Sequence, residues 1–142
     1  MTRENLESLD HDLADQAAAR VTGLLLSDDM IFSSRITATA RALGLSVKTA
    51  KTIEALLQLA RRDAPRGVIV DLGYPGLAIT DLIERLHGAC AEKPNIVAFG
   101  SHVDAASLRA AREAGCDLVF PRSKFVEELP KALPAWIGCQ AE

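Results

Sequence analysis

Three carboxylates and one guanidinium follow apolar segments at regular intervals along this 142-residue chain. Asp28 and Asp29 come after the first apolar run, Asp71 ends the third, and Arg122 follows the fifth. Carboxylate oxygens clustered without imidazole or thiolate suit a hard cation such as Mg²⁺. The residue types therefore predict a cation site, provided that the fold brings them together.

Strand-like and helical segments alternate from the first of these runs to the end of the chain. The strands are short apolar runs, and the helices carry apolar residues three and four positions apart. The predicted strands are residues 21–26, 45–49, 67–71, 95–99 and 118–120. The predicted helices are residues 30–43, 52–62, 77–90, 103–114 and 124–136. We expect the last helix to be interrupted or to end near Pro130 and Pro134, because proline removes a backbone donor.

This alternation predicts an α/β fold with a parallel sheet covered by helices on both faces. Five strand–helix units fit a doubly wound, flavodoxin-like domain, and right-handed crossovers give the strand order 2-1-3-4-5. Ligands bind such sheets outside the carboxyl ends of the strands. The fold would thus gather Asp28, Asp29, Asp71 and Arg122 at one edge of the sheet.

The chain divides into two predicted parts. Residues 1–20 carry Leu6, Leu9 and Leu13 at helical spacing and predict an N-terminal helical extension, and residues 21–138 form the α/β domain. A helix this short is marginal in water by itself. We expect its leucines to pack on the domain or across a homodimer.

Composition excludes several classes of function. The formal net charge of -3 argues against a nucleic-acid footprint, and no apolar run approaches the length that spans a bilayer. Cys90, Cys116 and Cys139 are isolated in sequence and predict reduced thiols. We expect a cytoplasmic protein that binds neither nucleic acid nor a membrane.

From Val21 to Trp136 the chain resembles the receiver domains of two-component signalling proteins. The segment Asp71–Gly76 (Asp-Leu-Gly-Tyr-Pro-Gly) is similar to the loop that follows their phosphorylated aspartate. Leu24–Met30 is similar to their acidic first-strand end, and Ala114–Asp117 to the turn before their fifth strand. Gly44 falls where their first helix ends. No single motif is specific, but the four occur in the family's order and spacing.

The resemblance implies a role for each site residue. Asp71 would be the phosphoryl acceptor, and Asp28, Asp71 and the backbone carbonyl of Gly73 would bind Mg²⁺, with Asp29 assisting through water. The cation would neutralise oxygens that otherwise repel the attacking carboxylate. The implied phosphoryl donor is a sensor histidine kinase or a phosphotransfer protein, and a downstream protein partner would receive the signal.

The charged residues depart from the family pattern at two places. Ser27 replaces the first of the family's two acids, which lowers the charge available to a cation, so we expect weak or absent Mg²⁺ binding. Arg122 stands in place of the family's lysine, and Lys124 lies close enough in sequence for a shifted alignment to restore a lysine. Arginine keeps the charge as a planar fork rather than as a compact ammonium.

The switch residues depart as well. Gly100 replaces the family's hydroxyl residue after the fourth strand, with Ser101 next to it, and Val119 replaces the aromatic residue of the fifth strand. Two functions remain open, and neither is enzymatic. One is a stand-alone receiver that accepts a phosphoryl group on Asp71 with Mg²⁺. The other is a pseudo-receiver, which uses the same fold as a phosphorylation-independent protein-interaction module.

Overall fold

A computed structural model describes residues 22–138 of the chain. Five parallel strands form one sheet in the order β2-β1-β3-β4-β5, which confirms the predicted doubly wound topology. The strands are β1 Gly23–Leu26, β2 Val47–Ala50, β3 Gly67–Asp71, β4 Asn95–Gly100 and β5 Leu118–Pro121. The helices are α1 Met30–Ala42, α2 Ile53–Asp63, α3 Ile79–Ala89, α4 Ala105–Ala114 and α5 Arg122–Ile137. The predicted N-terminal extension and Cys139 lie outside the described residues.

The sheet separates two apolar clusters. Leu24 and Val70 pack with α2, α3 and α4 on one face, whereas Leu25 and Phe99 pack with α1 and α5 on the other. Successive strand residues alternate between the faces, and both faces are covered, so β1, β3 and nearly all of β4 are buried. Among residues 22–138, no helix is long and apolar enough to cross a membrane.

Two glycines set how closely α5 approaches the sheet. Gly23 of β1 and Gly67 of β3 are neighbours in register. A Cβ atom at Gly67 would collide with the backbone carbonyl oxygen of Trp136 and would lie 2.7 Å from Ile137 Cγ2. The absence of side chains here lets the last turn of α5 rest on the strands, and α5 begins with Arg122 at the opposite edge.

The prediction that the last helix would break at its prolines is wrong. Helix α5 continues through Pro130 and Pro134. Both prolines are exposed, so their rings lie outside the packed side of the helix. Leu129 and Leu133 are almost fully buried on the sheet side of the helix, and this packing offsets the lost hydrogen bonds.

Candidate functional site

Asp71 ends β3 at the carboxyl edge of the sheet and is buried, with 3% of its surface exposed. Its Oδ2 accepts a hydrogen bond from Ser27 Oγ at 3.0 Å. Its Oδ1 accepts one from the backbone N–H of Gly73 at 2.9 Å. Both carboxylate oxygens are therefore bonded inside the protein, one to the end of β1 and one to the loop that follows β3.

The guanidinium of Arg122 lies between two carboxylates. Nη2 is 3.8 Å from Asp71 Oδ1, and Nη1 is 3.5 Å from Asp29 Oδ2. The carbon at its centre lies 4.6 Å from the ring centroid of Phe32 and 5.5 Å from that of Phe99. A planar, weakly hydrated cation suits such aromatic faces. Helix α1 and strand β4 thus help to hold the charge of α5 beside the end of β3.

Asp29 links the site to the first helix. It caps α1, where its Oδ1 accepts a hydrogen bond from the backbone N–H of Phe32 at 2.9 Å. This bond, and then Arg122, hold the pKa of Asp29 below its usual value against the opposing effect of desolvation. Its own backbone N–H donates to Ser27 Oγ at 3.1 Å. The serine that replaces an acid in the family pattern therefore connects Asp29 to Asp71.

Arg122, and not Lys124, is the cation of this site. Lys124 Nζ lies 3.2 Å from Glu128 and 3.8 Å from Glu127, on its own helix. The bond to Glu128 and the charge of Glu127 raise the pKa of Lys124. The sequence left both residues open as the counterpart of the family lysine, and the ion pairs assign the position next to Asp71 to Arg122.

No hydroxyl donates to Asp71 from the end of β4 among the described residues. Gly100 is buried, and a Cβ there would lie 3.2 Å from Leu72 Cβ, so a side chain at this position would crowd Leu72. Ser101 is exposed, and its Oγ accepts from the backbone N–H of Val103 at 3.3 Å. Ser101 thus stabilises its own turn and does not act as the missing hydroxyl.

The aromatic side chain of β5, Phe120, lies on the face of the sheet opposite to Val119. Val119, at the position of the family's aromatic residue, packs on the cluster of α2, α3 and α4. Phe120 is next in sequence, so its side chain points to the opposite face and lies 5.4 Å from Trp136 between ring centroids. The strand therefore carries no aromatic side chain on the face of Val119.

The residues present fit Mg²⁺ poorly. Asp28, the first predicted ligand, is exposed, and its side chain forms no hydrogen bond or ion pair within residues 22–138. No three His, Cys, Asp or Glu side chains in that range are grouped to hold a metal. The positive charge beside Asp71 is supplied by Arg122. The predicted Mg²⁺ site at Asp28, Asp71 and Gly73 stays a prediction.

Sequence reasoning did not find two residues of this site. Phe32 lies in the predicted helix of residues 30–43 and Phe99 ends the predicted strand of residues 95–99, and both are buried. Their second role, as the aromatic surface beneath Arg122, follows from the packing of α1 against β4. No spacing in the sequence signals it.

No family model and no curated protein matches the chain. Solved structures of receiver domains do match it. The Saccharomyces cerevisiae response regulator Ssk1, whose receiver domain was crystallised with the histidine phosphotransfer protein Ypd1, has 18% identity and a TM-score of 0.71, over 87% of this chain and 93% of that one. The receiver domain of sensor histidine kinase PA1611 from Pseudomonas aeruginosa, with magnesium in its active-site cleft, has 20% identity and a TM-score of 0.68, over 84% and 99%.

A response regulator from Burkholderia pseudomallei, crystallised with a phosphorylated aspartic acid and a calcium ion, has 21% identity and a TM-score of 0.67. The match covers 82% of this chain and 66% of that one. The chain therefore has the fold of the response-regulator receiver domains.

Proposed function

We propose that this chain is a receiver-fold signalling module that binds a protein partner of a two-component phosphorelay without requiring phosphorylation of Asp71. The observation that carries the proposal is the pairing of Arg122 with both Asp71 and Asp29. The guanidinium stands in place of the family's lysine but pairs with both carboxylates, which leaves neither of them free for the cation that phosphoryl transfer needs.

The burial of Asp71 also supports a function that does not depend on phosphorylation. A carboxylate that attacks a phosphoryl group needs an oxygen free to approach phosphorus to about 3–3.5 Å in line with the leaving group. Asp71 is 3% exposed, and its two oxygens accept from Ser27 and Gly73. Phosphorylation would have to break one of these bonds and separate Asp71 from Arg122.

The altered switch positions are a third line of support. A ligand shifts a conformational equilibrium only through its different affinity for the two states. Gly100 has no side chain for a phosphoryl group to attract, and Val119 has no ring to turn inward. A phosphoryl group on Asp71 would therefore have little influence on the rest of the domain.

The proposed partner surface surrounds the same edge. Met30 and Ile31 at the start of α1 are 66% and 87% exposed, and Val103 in the loop after β4 is 78% exposed. Large apolar side chains exposed beside a polar site are typical of protein contacts. The yeast receiver domain that resembles this chain was crystallised with a histidine phosphotransfer protein, which supports a partner of that kind.

The test combines a chemical and a binding measurement. The chain is incubated with acetyl phosphate and Mg²⁺, and its intact mass is measured for the natural sequence and for Asp71→Asn. We expect no phosphoryl adduct on Asp71. Histidine phosphotransfer proteins and kinase domains of the same organism are then tested for binding. At least one should bind with an affinity that Asp71→Asn leaves unchanged and Ile31→Glu weakens.

A second function keeps one specific observation in its favour. Asp71 ends β3 with a cationic side chain 3.8 Å away, the position of an acceptor aspartate next to its lysine in the family that the sequence resembles. In that function Asp71 accepts a phosphoryl group, as an aspartic acid does in the Burkholderia structure. A gain of one phosphoryl group that disappears in Asp71→Asn, together with partner binding that depends on that group, would establish this second function and reject the first.

A further inference from the structure

A cavity of about 610 Å³ opens next to the acidic site, between α1, the loop after β4 and the start of α5. Arg35, His102 and Arg122 line it together with Ser101 and Ser123. Asp71 does not line it. The cavity is thus a separate space that shares Arg122, and Phe32 beneath it, with the site described above.

The charge of this cavity is one-sided. No carboxylate is among its lining residues, which include two guanidinium groups and an imidazole. Arg122 is partly neutralised by Asp29 and Asp71. Arg35 is exposed and has no carboxylate partner within residues 22–138, so its charge is available to a ligand. Electrostatics favour an anion here.

The start of α5 adds backbone donors to the same wall. The N-cap residue of this 16-residue helix is Pro121, which has no side chain that can accept from the first turn. The N–H groups of that turn have no intrahelical partners, and the helix dipole is positive at this end. Ser123, in the first turn, lines the cavity. An anion seated there would meet backbone, hydroxyl and guanidinium donors together.

We propose that this cavity binds the phosphate group of a small organic phosphate ester, a role that goes beyond the proposed function. Phosphate suits the lining because arginine forks, hydroxyl groups and helix N-termini all donate to its oxygens. The volume lies within the range of small-molecule sites and exceeds the needs of a bare phosphate ion. Val126 and Phe32 give the remainder of the ligand an apolar wall.

The shared arginine connects this site to Asp71. A phosphate bound in the cavity competes with Asp71 and Asp29 for the guanidinium of Arg122, because all three are anions within reach of one cation. Occupancy would therefore loosen the ion pairs that join α5 to the ends of β1 and β3. The ligand would act through Arg122, with no covalent change to Asp71.

The test is an NMR titration of the ¹⁵N-labelled full chain at constant ionic strength. Phenyl phosphate is the probe, inorganic phosphate tests the need for an organic part, and sodium sulfate is the salt control. We expect saturable shifts of the Ser101, His102 and Ser123 amides with phenyl phosphate, and weaker binding of inorganic phosphate. Equal affinity for phenyl phosphate and inorganic phosphate would overturn the proposal that the ligand is an organic ester. Matching shifts with sulfate would overturn the proposal that the cavity selects phosphate.

Variants assign the binding to the cavity. Arg35→Gln should lower the affinity for phenyl phosphate about tenfold, which is the typical effect of losing one charge-assisted hydrogen bond. Arg61→Gln removes the same charge from an exposed position on α2 and should leave affinity unchanged. The Asp71→Asn variant should still bind phenyl phosphate, because Asp71 does not line the cavity. Equal losses in both arginine variants, or loss of binding in Asp71→Asn, would overturn the proposal.

Discussion

Arg122 Nη2 lies 3.8 Å from Asp71 Oδ1, so a residue at the start of the last helix neutralises an acid at the end of the third strand. The Asp71 side chain is almost fully buried, and the Arg122 side chain is 41% exposed. A cation that reaches inward from the surface can thus serve a buried acid without being desolvated itself. This geometry is the basis of the first prediction.

Removing Arg122 should destabilise the fold through Asp71. Loss of one partner of a fully buried pair costs about 3–5 kcal/mol, and solvent screening of the half-exposed guanidinium reduces this to about 1–2 kcal/mol for Arg122→Gln. The measurement is urea unfolding of Arg122→Gln, Asp71→Asn and the double variant. The loss from Arg122→Gln should shrink when Asp71 is already Asn. Strictly additive losses would mean that the two residues do not interact.

A phosphoryl mimic should leave the far elements of the domain unchanged. Beryllofluoride with Mg²⁺ is added to the labelled chain, and amide shifts are recorded along α4, β5 and α5. We expect only small changes there, because Gly100 and Val119 lack the groups that couple the acceptor to those elements. Asp71→Asn serves as the blank. Large changes from residue 103 to residue 136 would reveal a switch that works by another route.

Two glycine substitutions should have opposite effects. Gly67→Ala places a Cβ against the backbone carbonyl of Trp136, which cannot move without lifting α5, so we expect a loss of at least about 3 kcal/mol. Gly88→Ala meets open space inside α3 and should stabilise by about 0.5–1 kcal/mol. Thermal unfolding measures the change in stability of each variant. Similar changes in the two variants would contradict the close approach of α5 to the sheet.

The hydroxyl of Ser33 should be dispensable. It is buried in α1 and has no hydrogen-bond partner among the described residues, so its desolvation is uncompensated. Ser33→Ala should stabilise by about 1 kcal/mol in chemical unfolding. Ser34→Ala, at an exposed position of the same helix, shares only the gain in helix propensity and should show a smaller effect. A destabilised Ser33→Ala would point to an undetected partner of the hydroxyl.

Cys116 should be slow to react with alkylating reagents. Burial, and then the charge of Asp117, raise the pKa of its thiol to about 11. Only the thiolate reacts, so alkylation at pH 8 should be roughly 10²–10³ times slower than for a free thiol. Peptide mapping across a pH series should show the rate rising until about pH 11.

The same shift fixes the sign of the effect on stability. A thiol with a raised pKa stabilises the fold fully below its unfolded pKa of 9.0, and this contribution is lost as pH rises through about 11. Urea-unfolded protein is the control for the alkylation experiment. Its rate of alkylation should level off near pH 9.0, the pKa of the unfolded thiol. A folded-state inflection at that lower pH would show that Cys116 is open to solvent.

The sequence by itself determined the architecture. Strand and helix periods differ, so the order of elements could be read from the apolar pattern, and the topology followed from the handedness of crossovers. The sequence also determined the edge at which Asp71 would lie, because parallel strands end together. The chemistry of single positions, such as Ser27, Gly100 and Val119, was equally visible.

Only the tertiary structure decided how those positions are used. The choice between Arg122 and Lys124 depends on which side of α5 faces the sheet, and the buried side is the one that carries Phe125, Leu129 and Leu133. The continuity of α5 through Pro134 depends on burial of its opposite face, which propensity does not describe. Contacts between residues distant in sequence set these outcomes, because packing energy there exceeds local preference.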